Sequence, residues 1–135
     1  MNVEELPFNK LIGLKDTDHS VELDCAPKHM NHVGTVHATV IFGLAEACSG
    51  KFIIEHLSQD FPAALAVTRN AEIRYRNPGA GHIVAKVTGC EPPVESVIER
   101  LGRRGIAKIT VEVEVTGVDA TLATSHFEWF LKNNV

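Results

Sequence analysis

Cysteine is scarce in this chain. Cys25, Cys48 and Cys90 are its three thiols, too few and too scattered for a disulfide framework or a CxxC metal site. They are expected to be reduced, mostly buried thiols in a cytoplasmic protein. Basic runs are missing too, and the formal net charge is −4, which removes the electrostatic basis for nucleic-acid binding. No apolar run is long enough to span a membrane, because Glu46, Ser49 and Lys51 interrupt the longest one. The opening segment, MNVEELPFNK, is acidic and lacks an apolar core, so no signal peptide is expected there. Repeats, linkers and low-complexity stretches are likewise absent. At 135 residues the chain has the size of one domain, and residues 1–135 are expected to form a single one.

What is present suffices for a core: 44% of the residues are apolar and 22% charged. Residues 2–11 can make a short amphipathic helix that Pro7 limits or splits. Residues 19–25 alternate, with Val21, Leu23 and Cys25 on one side and Glu22 and Asp24 on the other, which predicts a half-buried strand. A polar loop then leads to a helix over Ala38–Leu57, about 30 Å long. Thr35 and Thr39 are its candidate caps.

Beyond Ser58–Pro62 the chain reads mainly as strand. Over 64–76, Val67, Ala71, Ile73 and Tyr75 share one face, and Thr68, Asn70, Glu72, Arg74 and Arg76 the other. After a turn at 77–81, Ile83, Ala85 and Val87 alternate through 82–90, and a short helix spans Val94–Arg104. The strict alternation of Ala107, Ile109, Val111, Val113 and Val115 marks the clearest strand, and 120–131 makes the last. A strand, one long helix and four consecutive strands joined by turns predict an α+β domain with an antiparallel meander.

Glu46 is the anomaly in this pattern. It lies among Phe42, Leu44, Ala45 and Ala47, where a carboxylate loses hydration and its pKa should rise. Just upstream is a polar turn, Asn31–His37, so a proton acceptor and a polar helix entrance stand close together. The rival account is a structural ion pair between Glu46 and an arginine from the sheet, such as Arg74. Asn31 and Thr35 can equally be turn and cap residues. His29, His32 and His37 match no zinc spacing, so no metal site is expected. The Gly79–Gly81 turn has no helix after it and is not a dinucleotide loop.

The run Asn31-His-Val-Gly34-Thr35-Val-His37-Ala38, followed by Leu44-Ala45-Glu46, resembles the N-x-x-G-x-x-H-G-G…L-A-[DE] signature of hotdog-fold thioesterases of the phenylacetate-pathway type. Tyr75-Arg76-Asn77-Pro78 is similar to the Y-x-x-P strand end of that family. The resemblance implies a hotdog fold, an antiparallel sheet of about five strands wrapped around one long central helix. It implies hydrolysis of an acyl-CoA or acyl-carrier-protein thioester, with coenzyme A as part of the substrate and no separate cofactor. Glu46 then matches the helix carboxylate that acts as nucleophile or general base. The Ala38 N–H matches the amide that polarises the thioester carbonyl, and His37 the histidine beside it. Asn31 matches a polar group near the thioester or water, and Thr68 a hydroxyl that orients that water. Arg74 and Arg76, like Arg100, Arg103 and Arg104, are candidates for the phosphates of coenzyme A, with a solvated face as the alternative.

One departure stands out: Ala38-Thr39 replaces the family's Gly-Gly, which keeps the amide but narrows the approach to it. It keeps open a non-catalytic hotdog that binds an acyl thioester as a sensor. A hotdog acyl hydratase or dehydratase is a further alternative, although the Asp/His pair of that chemistry is not found. Ala38 and Glu46 are eight positions apart, hence about 12 Å along a helix. One carbonyl needs both groups at roughly 3 Å, so they are expected to act from different protomers of a homodimer or a dimer of dimers. Gly43 and Gly50 are expected to admit the partner's helix.

Overall fold

The computed structural model describes residues 2–134. Near the N-terminus a 3-10 turn, Val3–Glu5, precedes helix α1, Pro7–Ile12. Pro7 therefore splits the expected helix and starts the second piece at a position where its missing N–H costs nothing. Strand β1 is Lys15–Asp16 and β2 is Val21–Asp24, the latter shorter than expected because Cys25 leaves the ladder. Helix α2, Ala38–Leu57, has the expected bounds. Its N-cap is His37, not Thr35 or Thr39: the His37 Nδ1 accepts the Thr39 N–H at 3.0 Å. Then follow β3 (Leu65–Tyr75), β4 (His82–Glu91), α3 (Val94–Arg104), β5 (Ile106–Thr116) and β6 (Thr121–Lys132).

The sheet has six antiparallel strands in the order β1-β2-β4-β5-β6-β3. This corrects the meander at one point. β4, β5 and β6 are consecutive neighbours, but β3 lies at the opposite edge, paired with β6. The physical reason lies in β6. Its alternate residues Phe127, Trp129 and Leu131 are buried, and a strand this apolar needs neighbours on both sides to cover its ladder. α2 packs across the same face of the sheet, with Leu44 and Ala45 fully buried against Val21, Ile83, Ala85, Val111 and Phe127. Each such branched or aromatic side chain contributes about 1.5–3 kcal/mol by burial.

A bulge between Thr68 and Asn70 also changes the expected faces of β3. Thr68 lies opposite Trp129, Ala71 opposite Phe127 and Ile73 opposite Ser125, so all three share the helix-facing side. Val67 pairs with Phe130 and moves to the outer face. One extra residue flips the alternation, which a strict period of two cannot foresee.

Two polar clusters hold the edges. Inside, Lys51 is buried and its Nζ binds the Asp16 carboxylate and the Thr17 carbonyl, with the Ser20 carbonyl at 3.3 Å. Outside, His82 on β4 bridges two carboxylates of β2, with Nδ1 2.6 Å from Asp24 and Nε2 2.6 Å from Glu22. The hydrogen bond to Asp24 and then that to Glu22 raise the His82 pKa. Hydrogen bonds from Ser20 and then His82 lower that of Glu22.

The raised imidazole stabilises the fold fully below its ordinary value of 6.5 and loses that contribution as pH rises through the folded value. The lowered carboxylate contributes above 4.5 and loses it as pH falls through its folded value. The clasp is therefore strongest between these limits. The His82 side chain is 45% exposed, so screening keeps its worth below about 1 kcal/mol. Thermal melts of His82→Gln are expected to show their largest deficit between pH 4.5 and 6.5 and a smaller one at alkaline pH, once the imidazole has lost its proton; a deficit that does not change with pH would sink this account.

Candidate functional site

The entrance of α2 is built by the loop before it. Asn31 Oδ1 accepts the N–H groups of Val33 and Thr35, each at 3.0 Å, and its Nδ2 donates to Thr35 Oγ1 at 2.8 Å. Gly34 turns the chain at φ +80°, a conformation that glycine adopts without strain. Asn31 thus organises this loop, and one hydrogen of its Nδ2 has no partner among the described residues. The Val36 N–H donates to the Gly79 carbonyl at 2.9 Å, tying the loop to the segment after β3.

The first free amide of the helix is that of Ala38. His37 caps Thr39, and the His37 carbonyl receives the N–H groups of Val40 and Ile41. The Ala38 N–H has no acceptor among the described residues and carries the positive end of the helix dipole. It adjoins an open cavity of about 290 Å3 lined by Asn31, Ala38, Ile41, Tyr75, Arg76 and Asn77, among others. Tyr75, the chain's one tyrosine, donates its hydroxyl to the Ala38 carbonyl at 3.1 Å. Sequence reasoning assigned no role to this side chain. Only its place as the last helix-facing residue of β3 brings it there.

Glu46 does not line that cavity. It is half-buried two turns further along, and burial pushes its carboxyl pKa up. The ion pair with Arg74 does not exist, because Arg74 pairs with Thr124 on the outer face of the sheet. Among the described residues no side chain makes a hydrogen bond or ion pair with the Glu46 carboxylate.

At Gly43 and Gly50, on the same side of the helix as Glu46, the chain's own aromatic rings make the close approach. A Cβ at Gly43 would stand 3.5 Å from the Phe8 ring, and one at Gly50 would stand 3.4 Å from Trp129. Aromatic rings of the same chain thus lie against the helix one turn before and one turn after Glu46.

Around Trp129 runs a short polar relay. Its Nε1 donates to Ser49 Oγ at 2.9 Å, and Ser49 donates to the Glu46 carbonyl at 2.7 Å. Thr68 faces Trp129 across the ladder, and its Oγ1 is buried with no partner among the described residues. The bulge therefore carries Thr68 to the same side of the sheet as Glu46. β3 is also a free edge, and its helix-facing Ala71 and Tyr75 are exposed.

Other titratable groups are committed elsewhere. The buried His29 ring accepts the Ala26 N–H at 2.9 Å and meets the Ile12 carbonyl at 2.7 Å. The Cys48 thiol is pushed up to about 12 by burial, and Cys25 and Cys90 are half-buried. Arg103 pairs with Glu99 at 2.8 Å. No cluster of three His, Cys, Asp or Glu able to hold a metal occurs among the described residues, and no helix among them is long and apolar enough to cross a membrane.

Solved structures share this architecture. A Pseudomonas aeruginosa protein of unknown function, named a probable thioesterase, is 22% identical and superposes with a TM-score of 0.84 over 98% of this chain and 91% of its own. A Bacillus halodurans protein solved with CoA is 20% identical, with a TM-score of 0.73 over 92% of this chain and 74% of that one. A probable thioesterase from Bartonella henselae is 18% identical, with a TM-score of 0.60 over 86% and 90% of the two chains. No curated protein matches the sequence. The fold these structures share is the hotdog fold, as the resemblance implied, although the sheet here has six strands instead of five. A family model matches residues 11–130, and the chain therefore belongs to the family described as the domain of unknown function DUF4442.

Proposed function

We propose that this protein hydrolyses acyl thioesters of coenzyme A or of an acyl carrier protein. The observation that carries the reading is Glu46, a desolvated carboxylate with no counter-ion, on the helix whose free Ala38 N–H opens into a cavity. A carboxylate in such surroundings is a stronger base than one in water, and a free helix N-terminal amide suits a developing oxyanion. Glu46 takes a proton from water as the water oxygen bonds to the carbonyl carbon. The C–S bond then breaks and the departing thiolate is protonated. The alternative route has Glu46 attack first and form a mixed anhydride. Asn31 and Thr68 hold the thioester or the water, His37 fixes the helix entrance, and Arg74 and Arg76 serve the coenzyme A portion. Three free thiols and a thioester substrate fit a cytoplasmic protein.

The site needs two copies of the chain. Ala38 and Glu46 are separated by about 12 Å on one helix, so each carbonyl is shared between the Ala38 amide of one protomer and the Glu46 of another. The open edge and uncovered inner face of β3 provide the surface for this pairing.

Ala38→Pro tests the arrangement directly. Ala38 is the first helical residue and His37 before it is extended, at φ −62° and ψ 137°, so proline fits there and deletes only the N–H. Ala38→Pro and Glu46→Ala are each expected to be inactive towards acyl-CoA. A refolded mixture should regain about a quarter of wild-type activity, because half its dimers carry one intact site of two. An active monomer, or no recovery on mixing, would remove the shared site. No turnover by wild type of short, aromatic or long acyl-CoAs, with tight binding retained, would make the protein a thioester sensor instead.

A further inference from the structure

On the outer face of the sheet, beside α3, lies a recess of about 500 Å3, large enough for a small organic molecule. Its floor is apolar, made by Phe130 of β6 and by Ile106 of β5, which is 46% exposed. Phe130 pairs with Lys108 across the ladder. In the next row Thr110 stands between Glu128 of β6 and Glu91 of β4. Arg69 is the extra residue of the β3 bulge, and its guanidinium carbon sits 5.3 Å from the centre of the Phe130 ring. Stacked on the ring, the guanidinium keeps its N–H edge free, and that flat fork matches a carboxylate. Arg100 of α3 also lines the recess. Among the described residues, Arg69, Arg100 and Lys108 take part in no ion pair, although two carboxylates share their recess.

This place is separate from the candidate catalytic site. Thr68 and Trp129, the chain neighbours of Arg69 and Phe130, project to the helix-facing side. Strands β3 and β6 themselves therefore stand between the two.

The lining sets the class of ligand. Three cations against two carboxylates leave a surplus of one positive charge. A single anionic group is drawn to the arginines and Lys108, whereas a cluster of phosphates would lie beside Glu91 and Glu128, and like charges repel at that range. Phe130 and Ile106 gain only from an apolar body that takes them out of water.

We propose that this recess is a second binding site, for an amphipathic monocarboxylate. The carboxylate meets the Arg69 edge with Arg100 and Lys108 around it, and the alkyl or aryl body covers Ile106 and the free part of the Phe130 ring. An acid of this class is what hydrolysis of an apolar acyl thioester releases. The site nevertheless stands without the thioesterase reading and is tested without turnover.

Calorimetric titration of the protein with octanoate, acetate and coenzyme A reads the site. Octanoate should bind wild type, and acetate, with the same charge and no apolar body, about tenfold or more weakly. Arg69→Gln should weaken octanoate about tenfold through the lost charge-assisted pair. Arg100→Gln, on a different element, should weaken it several-fold and keep the wild-type melting temperature, because its side chain is exposed. Glu128→Gln should tighten octanoate several-fold by removing a repelling charge, an effect that a merely structural role would not produce. Octanoate binding that is absent in wild type, as when a second copy covers the recess, overturns the site. Binding that is unchanged in both arginine variants does the same, since octanoate would then sit elsewhere. Coenzyme A binding that falls in Arg69→Gln as far as octanoate binding does would also overturn it, because the recess would then hold phosphates.

Discussion

Replacing Glu46 by Gln is expected to lower thioester hydrolysis by at least about a hundredfold, the usual contribution of a positioned general base, with little change in KM. The acid limb of the rate profile supplies an independent readout. A base works above its pKa, and burial raises that of Glu46. The wild-type rate should therefore fall off at a higher pH than an ordinary carboxylate near 4.5 would give. In Glu46→Gln this limb should disappear from whatever activity remains.

The same residue makes an opposite prediction for stability. Because its folded pKa lies above the unfolded one, the folded state holds the proton more tightly, and stability falls as pH rises through that interval. Glu46→Gln should consequently melt at a higher temperature than wild type at pH 7 and at the same temperature well below pH 4.5. A gain in stability with a loss of rate is the mark of a functional charge placed where packing does not want it. Turnover unaffected by the substitution would defeat the mechanism. Single-turnover hydrolysis in labelled water then separates base from nucleophile, since only the anhydride route carries label into Glu46.

Lys51→Met should be the most damaging change outside the site, costing about 3–5 kcal/mol. Lys51 is 8% exposed, and its ammonium satisfies Asp16 and the carbonyls of Thr17 and Ser20. Methionine fills the volume but leaves the Asp16 carboxylate, 15% exposed, without its counter-ion and two carbonyls without their donor. The loss should appear in urea melts as a lower midpoint at unchanged slope. Most of it should return in Lys51→Met with Asp16→Leu, because removing both charges is far cheaper than removing one. A single mutant as stable as wild type would show that the ammonium is solvated and not a structural tie.

The role of Lys51 was not legible in the sequence, where it merely interrupts an apolar run. Its hydrogen-bond partners lie more than thirty residues away, and only Glu55, 3.6 Å off and one turn along the helix, is local. The same holds for Tyr75 at the Ala38 carbonyl and for Trp129 at Ser49. The aromatic rings over Gly43 and Gly50 are a clearer case. The glycines marked a place of close approach, but what approaches is Phe8 and Trp129 of the same chain.

The candidate site was more accessible than the details of the sheet. Glu46, Ala38, Asn31 and His37 all belong to one continuous stretch of loop and helix, so their spacing along the chain translates directly into distance. Thr68 came from resemblance, and alternation alone placed it on the wrong face, because the bulge beside it leaves no mark in a pattern of apolar and polar residues.

By itself the sequence determined the local elements, the bounds of α2 and the anomaly at Glu46. Helical and strand periods are set by neighbouring residues, and a buried carboxylate is costly wherever its helix packs. Only the tertiary structure decided the position of β3 at the far edge beside β6, the face that Thr68 presents, and the partners of Lys51 and Tyr75. Those depend on which strands close around the helix, a choice made by the summed burial of segments far apart in the chain.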